Sequence, residues 1–263
     1  MNELAIATIC RDNPEGLERT LASTDRVRSA FSATQYVVDV STAAYREQMQ
    51  AIASRHPGVQ YQWQEAAGTA KAYNLALKTA VEPWFWILNS GDELIPEFNL
   101  DLLFELMSRS SATVLTLSII DQDGAVTRRP SLPFMWPPVF CWLCLLASVI
   151  RTKELQAIGG FDPEFPTTND AEMWFRLLNQ RHVTLDVISL PMVRMEVAGL
   201  SGNREVVAAE AVRMIASHKG MIFKRWVQSG MRYFEAKRKY GRRMRTRKTG
   251  VKSCTGTARI FFF

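Results

Sequence analysis

The chain has 263 residues, 47% hydrophobic and 22% charged, which is enough to bury a large core and too apolar for a disordered protein. Its formal net charge of +6 is unevenly distributed: from Lys219 onward 14 Lys and Arg face one acid, Glu235, while the first 218 residues hold 18 basic and 25 acidic groups. This excludes a basic patch spread over the fold, so any argument from positive charge concerns the tail.

In chain order, the opening MNELAIATICRDN puts an acid before a short apolar run and does not read as a secretory signal. Leu4 to Cys10 is an apolar strand. Pro14 to Ser23 reads as a helix, with Pro near its first position, Asn13 as a cap, and Leu17 and Leu21 four apart. Tyr36 to Val40 is a second strand, Ala43 to Ser54 a helix, Val59 to Trp63 a third strand, Gly68 to Ala80 a strong helix, and Trp84 to Leu88 a fourth strand. The alternation predicts an α/β fold with a mostly parallel sheet flanked by helices. Ligands bind beyond the carboxyl ends of such strands, and three of these strands end in polar tips: Thr8 and Arg11, Asp39 and Ser41, Asn89 and Asp92.

The second half is mixed. Val114 to Ile120 and Ala125 to Arg129 read as a hairpin about an Asp-Gly turn. Val139 to Ile150 is the longest apolar run, short of the roughly 18 residues of a membrane span, and suits a buried core element or an interfacial patch. Cys141 and Cys144 form a C-x-x-C without a second pair or a nearby His, so burial is favoured over a metal or redox role. With no disulfide framework the chain suits a reducing cytosol. Thr152 to Ile158 is a short helix closed by Gly159 and Gly160, Asn169 to Gln180 a helix capped by Thr168 or Asn169, and Val183 to Ile188 and Met192 to Val197 two strands. Residues 203–240 are helix-permissive, and 241–263 form a basic tail expected to be poorly ordered.

The residues that can carry chemistry are acids. Asp92 follows Gly91 after an apolar strand, where a carboxylate can approach a divalent ion bridging two phosphates; a simple cap for the next segment is the equal alternative. Asp170 stands in the first turn of a helix after a Gly-Gly-Phe-Asp turn, where the helix dipole favours the ionised form; on its own it reads first as a helix-start residue. Glu172, two residues on, is expected to point elsewhere. Asp39 ends the YVVDV strand, where it can accept from a base N–H or ribose hydroxyl, or form an Asx turn.

Taken together, VVDVS at 37–41, GTAKAYNLALKTA at 68–80, WILNSGDEL at 86–94 and IGGFDPEF…NDAEMWFRLL at 158–178 resemble the inverting glycosyltransferases of family 2, which have the GT-A nucleotide-diphospho-sugar transferase fold. The resemblance covers roughly residues 3 to 200 and is nearest to bacterial enzymes of polysaccharide biosynthesis. It implies a glycosyltransferase domain over 1–202, Asp92 as the metal-binding acid of a D-x-D-like element with Mn²⁺ or Mg²⁺, and Asp170 as catalytic base. It further implies that Thr8, Asp39, Ser41, Lys71, Asn74, Asn89 and Gly91 lie at the nucleotide-sugar. The chain departs from the family pattern where Asn89 or Ser90 replaces the first acid, where Val-Ser-Thr-Ala-Ala follows Asp39, and where Asn169-Asp170 replaces Glu-Asp. An amide oxygen can touch a cation but brings no charge to it.

The run Lys224 to Lys248 interleaves Trp226, Tyr233, Phe234 and Tyr240 with basic residues. It reads first as an element for an anionic membrane surface, next as a solvated extension, and last as a nucleic-acid contact. Trp136, Pro137, Pro138 and Trp142 read as acceptor-cleft lining or as core. A cytoplasmic enzyme at the inner face of the membrane, using a sugar or lipid-linked acceptor, is the resulting expectation. The alternatives are a sugar-phosphate nucleotidyltransferase, against which the first loop Arg11-Asp12-Asn13-Pro14 lacks a Gly-rich basic stretch, and a nucleic-acid-binding protein working through its tail.

Overall fold

The computed structural model describes residues 4–31, 33–128, 143–180, 182–196, 204–218 and 258–261. β1 (Leu4–Cys10) is buried along its whole length. An apolar run of that kind belongs in the middle of a sheet covered on both faces. It pairs in parallel with β2 (Thr34–Asp39), and β2 carries β3 (Val59–Trp63) at the edge. On its other side β1 pairs in parallel with β4 (Trp84–Ile87). Helices α1 (Pro14–Phe31), α2 (Ala43–Ser54) and α3 (Thr69–Thr79) connect these strands.

The chain then runs through β5 (Glu93–Leu94), α4 (Leu100–Arg109), β6 (Val114–Ile120), β7 (Val126–Arg128), β8 (Ser148–Arg151), α5 (Thr152–Ala157), α6 (Asn169–Leu178), β9 (Thr184–Arg194), α7 (Arg204–Ser217) and β10 (Ala258–Phe261). The main path of the sheet is β10-β9-β6-β8-β4-β1-β2-β3. β8 lies antiparallel between β4 and β6, while β6 and β9 are parallel. The parallel strands β1, β2 and β4 therefore end at one edge, where their following turns meet.

Period-2 alternation sorts the core. Ala5, Ala7, Phe85 and Ile87 face α3 and α6, where Phe161 and Trp174 are buried with them. Leu4, Ile6, Trp84 and Trp86 face the opposite side, with Val27, Leu103 and Phe104. Each such large apolar side chain contributes about 1.5–3 kcal/mol on burial.

The α/β class and most of the expected elements stand, and the differences have local causes. α1 continues past Ser23 to Phe31 because Thr24, Val27 and Arg28 prolong its buried stripe. The Arg28 guanidinium is held there by Thr24 Oγ1 and by the carbonyls of Leu21 and Pro57. α4 was not expected, although Asn99 caps it by accepting from Leu102 N. The end of the apolar run 139–150 forms a short 3₁₀ turn and β8. β9 is one strand where two were expected. Pro191, which has no N–H, sits opposite Ser118 where the β6 register shifts, so the missing donor falls at an irregularity.

Of the expected tail, Ala258–Phe261 pair antiparallel with β9 over residues 184–187, and β5 pairs with its far end at Val193 and Arg194. The basic aromatic run 224–248, Trp136 to Trp142 and Cys141 lie outside the described residues. Among the described residues no helix is long and apolar enough to cross a membrane.

Candidate active site

At the carboxyl edge of the parallel strands, the Asn89–Asp92 turn is fixed mainly by backbone. Ser90 N donates to Ile9 O (3.0 Å), Asp92 N to Asn89 O (3.0 Å), and Gly91 N to Gly16 O (3.1 Å). The Thr20 hydroxyl accepts from Gly91 N at 2.9 Å and lies 2.8 Å from Asp92 O and 3.1 Å from Asn89 O. Gly91 has φ +98, and a Cβ there would stand 1.9 Å from Glu196 Oε2. Only glycine lets Glu196 lie so close to the turn.

Asp92 is buried, and its Oδ1 accepts from Glu196 N at 2.9 Å. Burial pushes its carboxyl up to about 7, against that backbone donor and with the Glu196 charge adding to the rise. Glu196 in turn pairs with Arg19 at 2.9 Å, and Arg19 also lies 3.6 Å from Glu93. The turn thus presents hard oxygen donors, with Arg19 shared between the two neighbouring carboxylates.

α3 contributes its other neighbours. Tyr73 is buried and its hydroxyl donates to Asn89 Oδ1 at 3.1 Å. Burial drives the phenol's pKa upward, Asn89 opposes this, and the charges of Asp170 and Asp92 raise it again. One hydroxyl therefore feels both acids, 78 residues apart in sequence. Asn74 does not offer its amide to the cleft: Nδ2 donates to Phe161 O at 2.7 Å and Oδ1 accepts from Phe161 N at 2.8 Å. Gly160, at φ +70, is the partner of that clamp, since a Cβ there would meet Asn74 Oδ1 at 2.3 Å. Lys71 is exposed, and among the described residues it forms no ion pair.

Asp170 lies half-buried in the first turn of α6, with its Oδ1 2.7 Å from Ala171 N. Asn169 Nδ2 donates to Thr69 Oγ1 at 2.9 Å, tying the start of α6 to the start of α3. Glu172 points elsewhere, as expected: it is fully buried against Arg176 at 2.6 Å and His218 at 3.1 Å. Arg176 also donates to Gly160 O at 2.7 Å, supporting the glycine turn from beneath. The expected Thr168 cap differs. The Thr168 hydroxyl donates to Glu210 of α7 (2.9 Å), which also accepts from Thr168 N at 2.8 Å and Thr167 N at 3.0 Å.

The residues expected at the nucleotide, Thr8, Asp39 and Ser41, are more enclosed than their sequence positions implied. Thr8 is fully buried, its hydroxyl donating to Leu88 O at 2.7 Å and accepting from Gln35 at 2.9 Å. Asp39 is also fully buried. Its Oδ1 accepts from Ser41 N (2.8 Å) and its Oδ2 from the Tyr61 hydroxyl (2.7 Å). Both acceptors on its strand tip are thus met inside the chain. The Ser41 hydroxyl accepts from Asp12 N at 2.8 Å, and its carbonyl accepts from Trp63 Nε1 at 3.0 Å. The Trp63 ring, carrying Arg46 4.1 Å above it, stands beside these groups.

The turn at Asn89–Asp92, the start of α3 and the start of α6 therefore meet, while Thr8 and Asp39 brace the rim. Tyr73, Glu196, Arg19 and Glu210 were not identified from sequence. Among the described residues no group of three or more His, Cys, Asp or Glu side chains is placed to hold a metal ion. Asp92 and Glu196 nevertheless fit a Mg²⁺- or Mn²⁺-type ion that takes oxygen ligands and draws part of its shell from substrate phosphates.

No protein-family model matches the sequence, and no curated protein matches it significantly. Solved structures do match. S. aureus TarS 1-349 in complex with UDP aligns with TM-score 0.61 at 16% identity, over 82% of this chain and 64% of that one. TarS 1-349 in complex with UDP-GlcNAc gives 0.60 at 14%, over 81% and 66%. The mannosyltransferase PcManGT from Pyrobaculum calidifontis, in complex with GDP-Man and Mn²⁺, gives 0.60 at 16%, over 82% and 63%. Against a longer TarS structure the chain spans 40% of that protein. What these structures share with this chain is its fold, the GT-A fold of nucleotide-diphospho-sugar transferases.

Proposed function

We propose that the chain is a glycosyltransferase that moves a sugar from a nucleotide-diphospho-sugar to an acceptor hydroxyl with inversion. The observation that carries this reading is the junction that α3 makes between the two acidic segments: Tyr73 donates to Asn89 Oδ1 in the Asp92 turn at 3.1 Å, and Thr69 accepts from Asn169, next to Asp170, at 2.9 Å. A single displacement needs a base for the incoming alcohol and charge compensation for the departing diphosphate, close together. The neighbours with UDP, UDP-GlcNAc and GDP-Man lend support, because a donor of this class suits the shared fold.

Asp170 takes the acceptor's proton as the oxygen attacks the anomeric carbon. It stands in the first turn of α6, with its Oδ1 2.7 Å from Ala171 N. Asp92, with Glu196 beside it, would hold Mn²⁺ or Mg²⁺, which when bound supplies positive charge against the diphosphate. Asn74 and Arg176 keep the 158–161 turn in place beneath the base. Trp63 and Ser41 form the wall nearest the expected nucleoside, braced by Asp39. Family 2 membership, a role in cell-surface polysaccharide assembly, and a location at the inner membrane face through the basic segment belong to the same proposal.

The test is a thermal-shift panel of nucleotide sugars on the full chain with and without Mn²⁺, followed by NMR of the product's anomeric proton. One donor is expected to stabilise selectively, Asp92→Ala to lose that response, and the product to have the opposite anomeric configuration. Equal responses to all donors and to none would defeat the proposal.

A further inference from the structure

Resting on that reading, the Asn89 amide invites a different assignment from the acid it replaces. Tyr73 is buried, and its phenolic hydrogen has one acceptor among the described residues, Asn89 Oδ1 at 3.1 Å. Turning the amide over would set N–H against O–H and strand that hydrogen in a buried place, at a cost comparable to a lost hydrogen bond. The amide is therefore fixed with its carbonyl toward Tyr73. Among the described residues the Asn89 side chain bonds through Oδ1 alone, and Asn89 is only partly buried, at the rim where β1, β2 and β4 end. The turn then carries two unlike groups within four residues: an N–H donor at Asn89 and a carboxylate at Asp92.

We propose that Asn89, oriented by Tyr73, is a hydrogen-bond donor to a diphosphate oxygen and not a cation ligand. Tyr73 is the positioning residue for that contact. The turn reads a diphosphate from two sides, donating at Asn89 and holding a cation at Asp92. An acid at residue 89 would repel the same oxygen. The usual two-carboxylate arrangement is thus replaced here by one carboxylate and one N–H donor.

Phosphate donors of this kind act on any diphosphate, so inorganic pyrophosphate is a sufficient probe. Calorimetry on the full chain in EDTA is expected to show pyrophosphate binding that falls about tenfold in Asn89→Asp and in Asn89→Ala, the loss of one hydrogen bond to a charged group. Tyr73→Phe is expected to weaken pyrophosphate several-fold, while the affinity for Mn²⁺ alone stays within twofold of the parent. That split separates positioning of the amide from general loosening of the turn, which would lower both. Unchanged pyrophosphate affinity in Asn89→Asp, or tighter binding, overturns the inference, as does a Tyr73→Phe variant that loses Mn²⁺ and pyrophosphate equally. If the parent chain binds nucleotide sugars but not pyrophosphate, or if the variants match it, only this inference falls. If the parent binds neither nucleotide sugar nor pyrophosphate, the proposed function falls with it.

Discussion

The turn that carries Asp92 and the helix start that carries Asp170 are supported by different means. Around Asp92 the holding groups are largely backbone, from Ile9, Gly16 and Asn89, with Thr20 bridging them. They come from strands and a helix already fixed by the sheet. Around Asp170 they are single side chains sent from other elements: Asn74 from α3, Arg176 from further along α6, and Glu210 from α7. Substitution is therefore expected to leave the Asp92 turn in place and to shift the Asp170 segment one residue at a time. The predictions below probe that asymmetry.

The largest effect is expected at Asp170. Asp170→Ala should lower turnover by about 10²–10⁴-fold, the contribution of a positioned general base, with donor affinity unchanged by calorimetry. Near-normal turnover would remove Asp170 from the mechanism.

Asp92 should behave in the opposite sense, costing stability while serving function. Its folded pKa of about 7 lies above its usual 3.8, so the folded state prefers the protonated acid. Stability is therefore highest below the unfolded value and declines as pH rises through about 7. Without divalent cations, Asp92→Asn should be more stable than the parent at pH 8, by on the order of 2–4 kcal/mol. The two should converge near pH 4 and differ in donor response throughout. Parallel stability curves from pH 4 to 8 would show that Asp92 is not under this burden.

Asn74 separates two roles. Removing its amide orphans both backbone groups of Phe161, and Asn74→Ala should cost on the order of 2–3 kcal/mol in urea denaturation, with turnover falling more than donor affinity. A weakened donor with stability intact would return Asn74 to the nucleotide, where the family resemblance had placed it.

These residues also mark what was legible in the sequence. The Ser-Gly-Asp and Gly-Gly-Phe-Asp elements could be read because their signals are local: an apolar run ending in a polar turn, and glycines where the backbone takes positive φ. The strand and helix alternation carried the fold class for the same reason. The supports could not be read, because each depends on partners far apart in the chain. Glu196 meets Asp92 across 104 residues, and Glu210 meets Thr168 across 42. Thr8 and Asp39 show how much of a strand tip the sequence leaves unseen. A polar residue at a strand tip reads as open to a ligand, and the partners that enclose these two, Gln35 for Thr8 and Tyr61 for Asp39, come from neighbouring strands of the sheet. β8 was hidden in an apolar run whose period does not distinguish strand from core helix. α4 has local signals of its own, the Asn99 cap and the apolar spacing after it.

Glu210 gives the smallest effect and the sharpest test of the Asp170 segment. Burial alone would raise its carboxyl, but the Thr168 and Thr167 donors outweigh that and hold it below its usual 4.5. A carboxylate depressed on folding stabilises the fold above its unfolded pKa and stops doing so as pH falls through the folded value. Glu210→Gln keeps the shape and one acceptor but loses the charge at the start of α6. It should cost about 1–2 kcal/mol at pH 7 and flatten the parent's acid-side decline in thermal midpoint. Because the loop it holds leads directly into Asp170, turnover should fall while pyrophosphate and Mn²⁺ affinities stay the same. If the variant instead weakens both ligands as much as it slows turnover, then α7 supports the whole cleft, and the two sides are not independently built.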